Sequence, residues 1–179
     1  MAPKNPADKG VLGHNPGGQE MKTKACNLCH SATRRRFIDF ADGEAEPLRI
    51  RLKGLPLLVC EQGHRQFMRP QFAAELLRHL TEVDEPGLPA GQETGLFRRH
   101  YLCQNCDSEL EIKPDHRQIF SIDIELENID SFTVDLSMPV YRCSACAEEQ
   151  LHSLREIRKL TAKALADAFL EVDIPPPPA

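Results

Sequence analysis

An α+β fold of two tandem hairpin units, each followed by an amphipathic helix, is predicted by three features of this 179-residue chain. A pair of cysteines two residues apart occurs near the start of each half. A third cysteine returns after a spacer with strand-like alternation, and a stretch with helical periodicity follows it.

Residues 1–20 carry Pro and Gly without apolar periodicity and are expected to be a disordered tail. Met21 could itself be the start, with the tail an upstream extension.

The first unit, residues 21–83, runs Cys26-x-x-Cys29, a 30-residue spacer, Leu55-Pro56-Leu57-Leu58-Val59-Cys60, then an amphipathic stretch. Its spacer predicts strands at Arg35–Phe40, Leu48–Leu52 and Leu57–Val59. Pro70 suits a first helical turn, and Phe72, Leu76, Leu77 and Leu80 fall on one face. Residues 84–97 hold Pro and Gly and read as a linker.

The second unit, residues 98–174, repeats the plan: Cys103-x-x-Cys106, 36 residues, Met138-Pro139-Val140-Tyr141-Arg142-Cys143-x-x-Cys146. In both units a proline stands four residues before the third cysteine. Phe120–Leu126 and Phe132–Leu136 alternate with period two, as half-buried strands do. Ser153 with Glu156 forms a capping box, and Leu154, Ile157, Leu160, Leu165 and Phe169 line one helical stripe. Pro175 to Pro178 should form an extended proline tail, residues 175–179.

Units this small bury little apolar surface and need a staple. The seven cysteines are the candidates, and disulfides are the weaker reading. No apolar h-region or membrane-length apolar run is present, so a cytoplasmic, reducing location is expected, where paired cysteines hold metal more often than they cross-link. Two C-x-x-C turns facing each other give the sulfur tetrahedron that zinc favours, which Cys103, Cys106, Cys143 and Cys146 supply. Iron, as in a rubredoxin-type site, is the rival metal.

The first site has Cys26, Cys29 and Cys60, but Gly63 stands where the second unit places its fourth cysteine. His64 is the preferred fourth ligand, with His30 the competitor. A first site that has lost its metal is the alternative. His14, His79, His100, His116 and His152 lack ligand-like spacing. Two zinc ions are expected, each unit being zinc-ribbon-like. Four protein ligands leave no open coordination position, and no phosphate loop, nucleophile elbow or H-E-x-x-H helix is present, so no enzyme is expected.

The Cys26 to Cys60 pattern, with its Gly54-Leu55-Pro56-Leu57-Leu58-Val59-Cys60 approach, resembles the YgiT-type zinc finger of MqsA-type antitoxins, and the second unit resembles a diverged copy. Two departures stand out: the family's last cysteine is Gly63 here, and no helix-turn-helix domain follows. The resemblance implies binding of a partner protein through the zinc module and does not imply operator binding.

Charge is divided. Residues 21–80 hold 11 Lys/Arg against 6 Asp/Glu, and residues 81–179 hold 9 against 19. The basic half could meet nucleic acid through Arg34, Arg35, Arg36, Arg49, Arg51 and Lys53, or the two halves could attract each other. Three functions compete: a non-catalytic module that binds another protein, a nucleic-acid-binding ribbon, and a thiol-based metal or redox sensor whose first site releases metal first.

Overall fold

A computed structural model describes residues 24–82, 87–95 and 98–174. The expected tails at 1–20 and 175–179, and part of the expected linker, lie outside them. The elements are β1 (Thr33–Ala45), β2 (Leu48–Cys60), β3 (Arg65–Gln66), α1 (Phe72–Glu82), β4 (Gln92–Thr94), β5 (His100–Leu102), β6 (His116–Ile124), β7 (Phe132–Arg142), β8 (Glu149–Gln150) and α2 (Leu154–Glu171). The class is α+β, with antiparallel strands and, among the described residues, two helices.

β1 and β2 form one long hairpin, closed by the cis Glu46-Pro47 peptide, in register from Ala45↔Leu48 to Thr33↔Cys60. The two strands expected at Leu48–Leu52 and Leu57–Val59 are therefore a single strand. Gly54, at φ +69, lets the chain turn over without ending: Leu48, Ile50 and Leu52 are buried before it, and Leu55 and Leu57 after it. The even-to-odd switch hides the continuity from a period-two reading.

The two hairpins share one sheet in the order β1-β2-β7-β6, with β3 on β2 and β8 on β7. β2 meets β7 from Arg49↔Ser137 to Lys53↔Thr133. Cys60 and Cys143 stand 83 positions apart, and that offset exchanges the pairs Arg51↔Asp135 and Leu52↔Val134. The same stretch of each unit thus pairs with the other about a local two-fold axis. β2 and β7 then run on in opposite directions, carrying Cys60 and Cys143 to opposite ends of the sheet.

One face of the sheet presents Ile50, Leu52, Ile124, Phe132, Val134 and Leu136 to the helices. α1 adds Phe72, Leu76 and Leu80, and α2 adds Ile157, Leu165 and Phe169. Phe67 stacks on Phe72 at 5.0 Å and edge-on to Phe169 at 4.7 Å, tying both helices together. Ser153 caps α2, its hydroxyl accepting from the Glu156 N–H at 3.1 Å, as the capping box predicts. α2 also guards the β1 edge: Glu171 accepts from the Asp42 N–H, and Asp167 from the Glu44 N–H at 2.9 Å.

The segment expected as a linker holds a strand, since Gln92–Thr94 pairs with His100–Leu102. Gly91 and Leu151 are joined as well, through Gly91 N–H to Leu151 O and Leu151 N–H to Pro89 O. Three polar residues carry no apolar alternation, so only their partners reveal this strand.

Candidate metal centres

Each C-x-x-C pair sits on the same tight turn. In all three, the first cysteine accepts at its carbonyl from the N–H four residues on, at 2.9 to 3.0 Å, and donates its own N–H to the carbonyl five residues on. The residue after the second cysteine takes the left-handed conformation: His30 at φ 60, Asp107 at φ 57 and Ala147 at φ 64. This curl aims both sulfurs at one point.

The turn at Cys60 is one residue shorter. Gly63 N–H reaches the Cys60 carbonyl at 3.0 Å, Cys60 N–H reaches the His64 carbonyl at 3.1 Å, and Gly63 is the left-handed residue at φ 84. Gly63 is thus the counterpart of His30, Asp107 and Ala147, and its position in the turn is not that of a missing cysteine. The shortened turn places His64 next, and a longer side chain takes the fourth position.

Zinc–sulfur bonds of about 2.3 Å and zinc–nitrogen bonds of about 2.0 Å put tetrahedral ligand atoms roughly 3.5 to 3.8 Å apart. Cys26 Sγ lies 3.7 Å from His64 Nδ1, and Cys29 Sγ lies 3.6 Å from Cys60 Sγ. At the other end Cys103 to Cys146 and Cys106 to Cys143 are both 3.6 Å. Cys26, Cys29, Cys60 and His64 form one set with ligand atoms within 4.8 Å of one another, and Cys103, Cys106, Cys143 and Cys146 form a second. Both fit a metal ion. His30, the competitor for the fourth place, is exposed and is not in the set. Asp115, His116 and Glu149 also come together, but all three are exposed.

No known protein family, curated protein or solved structure matches the chain. Among the described residues, no helix is long and apolar enough to cross a membrane.

Two glutamines brace the turns, and the sequence reading missed both. Gln66 Oε1 accepts from the Asn27 N–H at 2.8 Å, and its amide donates to the Ala25 carbonyl at 3.2 Å. Gln150 Oε1 accepts from the Gln104 N–H at 3.0 Å, and its amide donates to Cys103 Sγ at 3.0 Å. They are repeat counterparts, six residues after Cys60 and seven after Cys143. The one-residue difference is the shortened turn, so a fixed offset does not align them.

Cys26, Cys29, Cys103 and Cys106 are shifted toward the ligating, deprotonated form, whereas Cys60, chiefly through burial, and Cys146 are shifted the other way. The Ser31 hydroxyl, 2.8 Å from Cys29 Sγ, brings Cys29 down to about 6 from an ordinary 9.0. Burial pushes Cys103 up, but the Gln150 amide and the Asn105 and Cys106 N–H groups outweigh it and bring it down to about 6. Cys29 and Cys26 raise His64, which therefore holds a proton to higher pH when no metal competes. A thiol lowered by folding stabilises the folded form above its ordinary 9.0, and that contribution fades as pH falls through about 6. Both protonations oppose metal. Metal content measured by atomic emission after dialysis should hold at neutral pH and drop as the buffer passes below about 6.

His152, which lacks ligand-like spacing and is expected to be an ordinary surface or core residue, lies in the core as a buried wedge. Its ring stacks between Tyr101 at 4.0 Å and Tyr141 at 3.3 Å, and its nitrogens meet the Glu111 carbonyl at 2.8 Å and Glu156 at 3.2 Å. This stack joins the second centre to the first turn of α2.

The basic residues singled out for nucleic acid are mostly paired. Arg34 faces Glu61, Arg35 faces Asp130, Arg49 faces Glu44, Arg51 faces Asp42 and Lys53 faces Asp135. Two of these pairs, with Arg117 to Glu46, join the basic half to the acidic half across the sheet.

Proposed function

We propose that both clusters are structural zinc centres, and that the chain is a non-catalytic module that binds another macromolecule, a protein. The observation that carries this reading is the coming together of four protein ligands at each centre. A metal held by four side chains has no position left for water or substrate, which a catalytic zinc must keep. Sulfur-rich tetrahedral sets suit zinc better than calcium or magnesium. Each unit is then a zinc ribbon joined edge to edge with the next.

Protein is preferred to nucleic acid as the partner because five of the six candidate phosphate contacts already face carboxylates, and the acidic half repels phosphate. The resemblance to the YgiT-type zinc finger agrees, since antitoxins of the MqsA type engage partner proteins through that module.

Metal analysis of the chain purified under reducing conditions tests the reading. Two equivalents of zinc are expected, and iron in either centre, or no metal, overturns the zinc assignment. Substrate turnover by the pure chain, with no stable protein partner in a native extract, removes the binding role.

A further inference from the structure

We propose that the two centres hold their ions unequally, with Gln150 as the positioning residue that locks the second centre and leaves the first exchangeable. This rests on reading both clusters as zinc centres.

The two glutamines perform the same backbone task but differ in where the second amide group goes. Gln66 is half-buried and spends its N–H on the Ala25 carbonyl. Gln150 is fully buried and spends its N–H on a ligand, Cys103 Sγ, at 3.0 Å. Cys103 is itself fully buried and takes a second N–H, from Asn105, at 3.4 Å.

A metal leaves its site when ligands detach in turn and are captured by solvent protons or by a chelator. Cys106 is exposed, so a chelator can approach the second centre. Detachment of Cys103, however, strands a charged sulfur and the Gln150 amide away from water, which is unfavourable. Four thiolates on one divalent ion also leave net negative charge, which these donors offset.

The first centre lacks that lock. One of its four ligands is a neutral imidazole, half-buried, immediately before a two-residue strand. Cys29 is half-buried, as Cys146 is at the second centre, so the difference lies in the imidazole and in the absent side-chain amide rather than in thiol exposure. His64 can swing toward solvent without leaving a buried charge behind. Outer ligand partners of this kind are worth roughly 10- to 100-fold in metal affinity. Loss of the first ion would loosen the segment from Lys24 to Thr33, held there by the Cys26 turn and by Thr33 Oγ1 donating to the Lys24 carbonyl at 2.6 Å, while the sheet stays joined.

The test is release of metal from the full zinc-loaded chain into excess 4-(2-pyridylazo)resorcinol, followed by stopped flow. The cobalt-loaded chain is run in parallel, because a site of three thiolates and one imidazole differs from an all-thiolate site in its charge-transfer and d–d bands. Two phases of equal amplitude are expected, the faster one carrying the spectrum of the mixed thiolate and imidazole site. Gln150→Met, similar in size but without the amide, should speed the slow phase roughly 10- to 100-fold and leave the fast phase alone. Gln66→Met should leave the slow phase unmoved. Single-phase release of both ions, a slow phase with the mixed-site spectrum, or a slow phase untouched by Gln150→Met overturns the inference. If Gln150→Met does not load metal, Gln150→Leu, which is apolar and likewise carries no donor, takes its place, and the order of phases in the unmodified chain decides independently. A chain that purifies with fewer than two zinc ions defeats the zinc reading itself; two ions released together defeat only this inference.

Discussion

Cys103→Ser is expected to drop the metal content from two ions to one and to lower the melting temperature by more than about 10 °C, as a loss above roughly 4 kcal/mol requires in a chain of this size. The second centre has little else to hold it. Its buried cluster consists of Cys103, Leu110 and Cys143, with Tyr101 and Cys146 at the margin, and it is separate from the main core. One buried leucine contributes about 1.5–3 kcal/mol. A structural zinc contributes an apparent 10–16 kcal/mol to the fold it organises, comparable to the whole stability of an ordinary domain. Serine offers a poor ligand, and it leaves Cys106, Cys143 and Cys146 close together without the ion they share in that reading. The effect should spread through the Tyr101, His152 and Tyr141 stack to the start of α2, where Glu156 binds both Tyr101 and His152. Thermal melts by circular dichroism, with metal content measured on the same samples, check this. A variant that melts within a few degrees of the parent would show that packing, rather than the ion, fastens this end of the sheet.

The two clusters of Cys and His side chains were legible in the sequence because a C-x-x-C turn is a local object: its geometry is set by six residues and does not wait for the rest of the fold. His64 was legible for the same reason, since Cys60 and His64 share one turn. What Gly63 does was not, because a missing cysteine and a shortened turn look alike until the backbone bonds are known. Helices with strong periodicity were equally plain, down to the Ser153 cap. The union of the hairpins was hidden because it depends on Arg49 to Lys53 meeting Thr133 to Ser137, a pairing distant in sequence and set by the shapes of both units. Gln150 escaped for a related reason: a glutamine in a two-residue strand has no pattern, and its role exists only once β8 lies beside the Cys103 turn.

Gly43→Ala should destabilise the chain by about 3 kcal/mol or more, the upper range for forcing added volume into a packed site. A Cβ at this position would lie 1.9 Å from the Ala164 carbonyl oxygen and 2.6 Å from the Ala168 nitrogen. Both are backbone atoms of α2, so no side chain can rotate away, and the helix itself must move. The neighbours on either side of Gly43 make that movement unfavourable. Asp42 and Glu44 donate their N–H groups to Glu171 and Asp167 of the same helix, and Leu165 and Phe169 pack beneath it. Displacing α2 by even an ångström therefore weakens the guarded edge and the core together. Gly54→Ala separates this effect from the general liability of glycine replacement: Gly54 sits at φ +69 with open space around its missing Cβ, so only backbone strain of about 1–2 kcal/mol is expected. Urea titrations of the two variants should rank Gly43→Ala well below Gly54→Ala in midpoint. The reverse order would mean that α2 does not lie against β1 at the distance described, and that the β1 edge is guarded by something else.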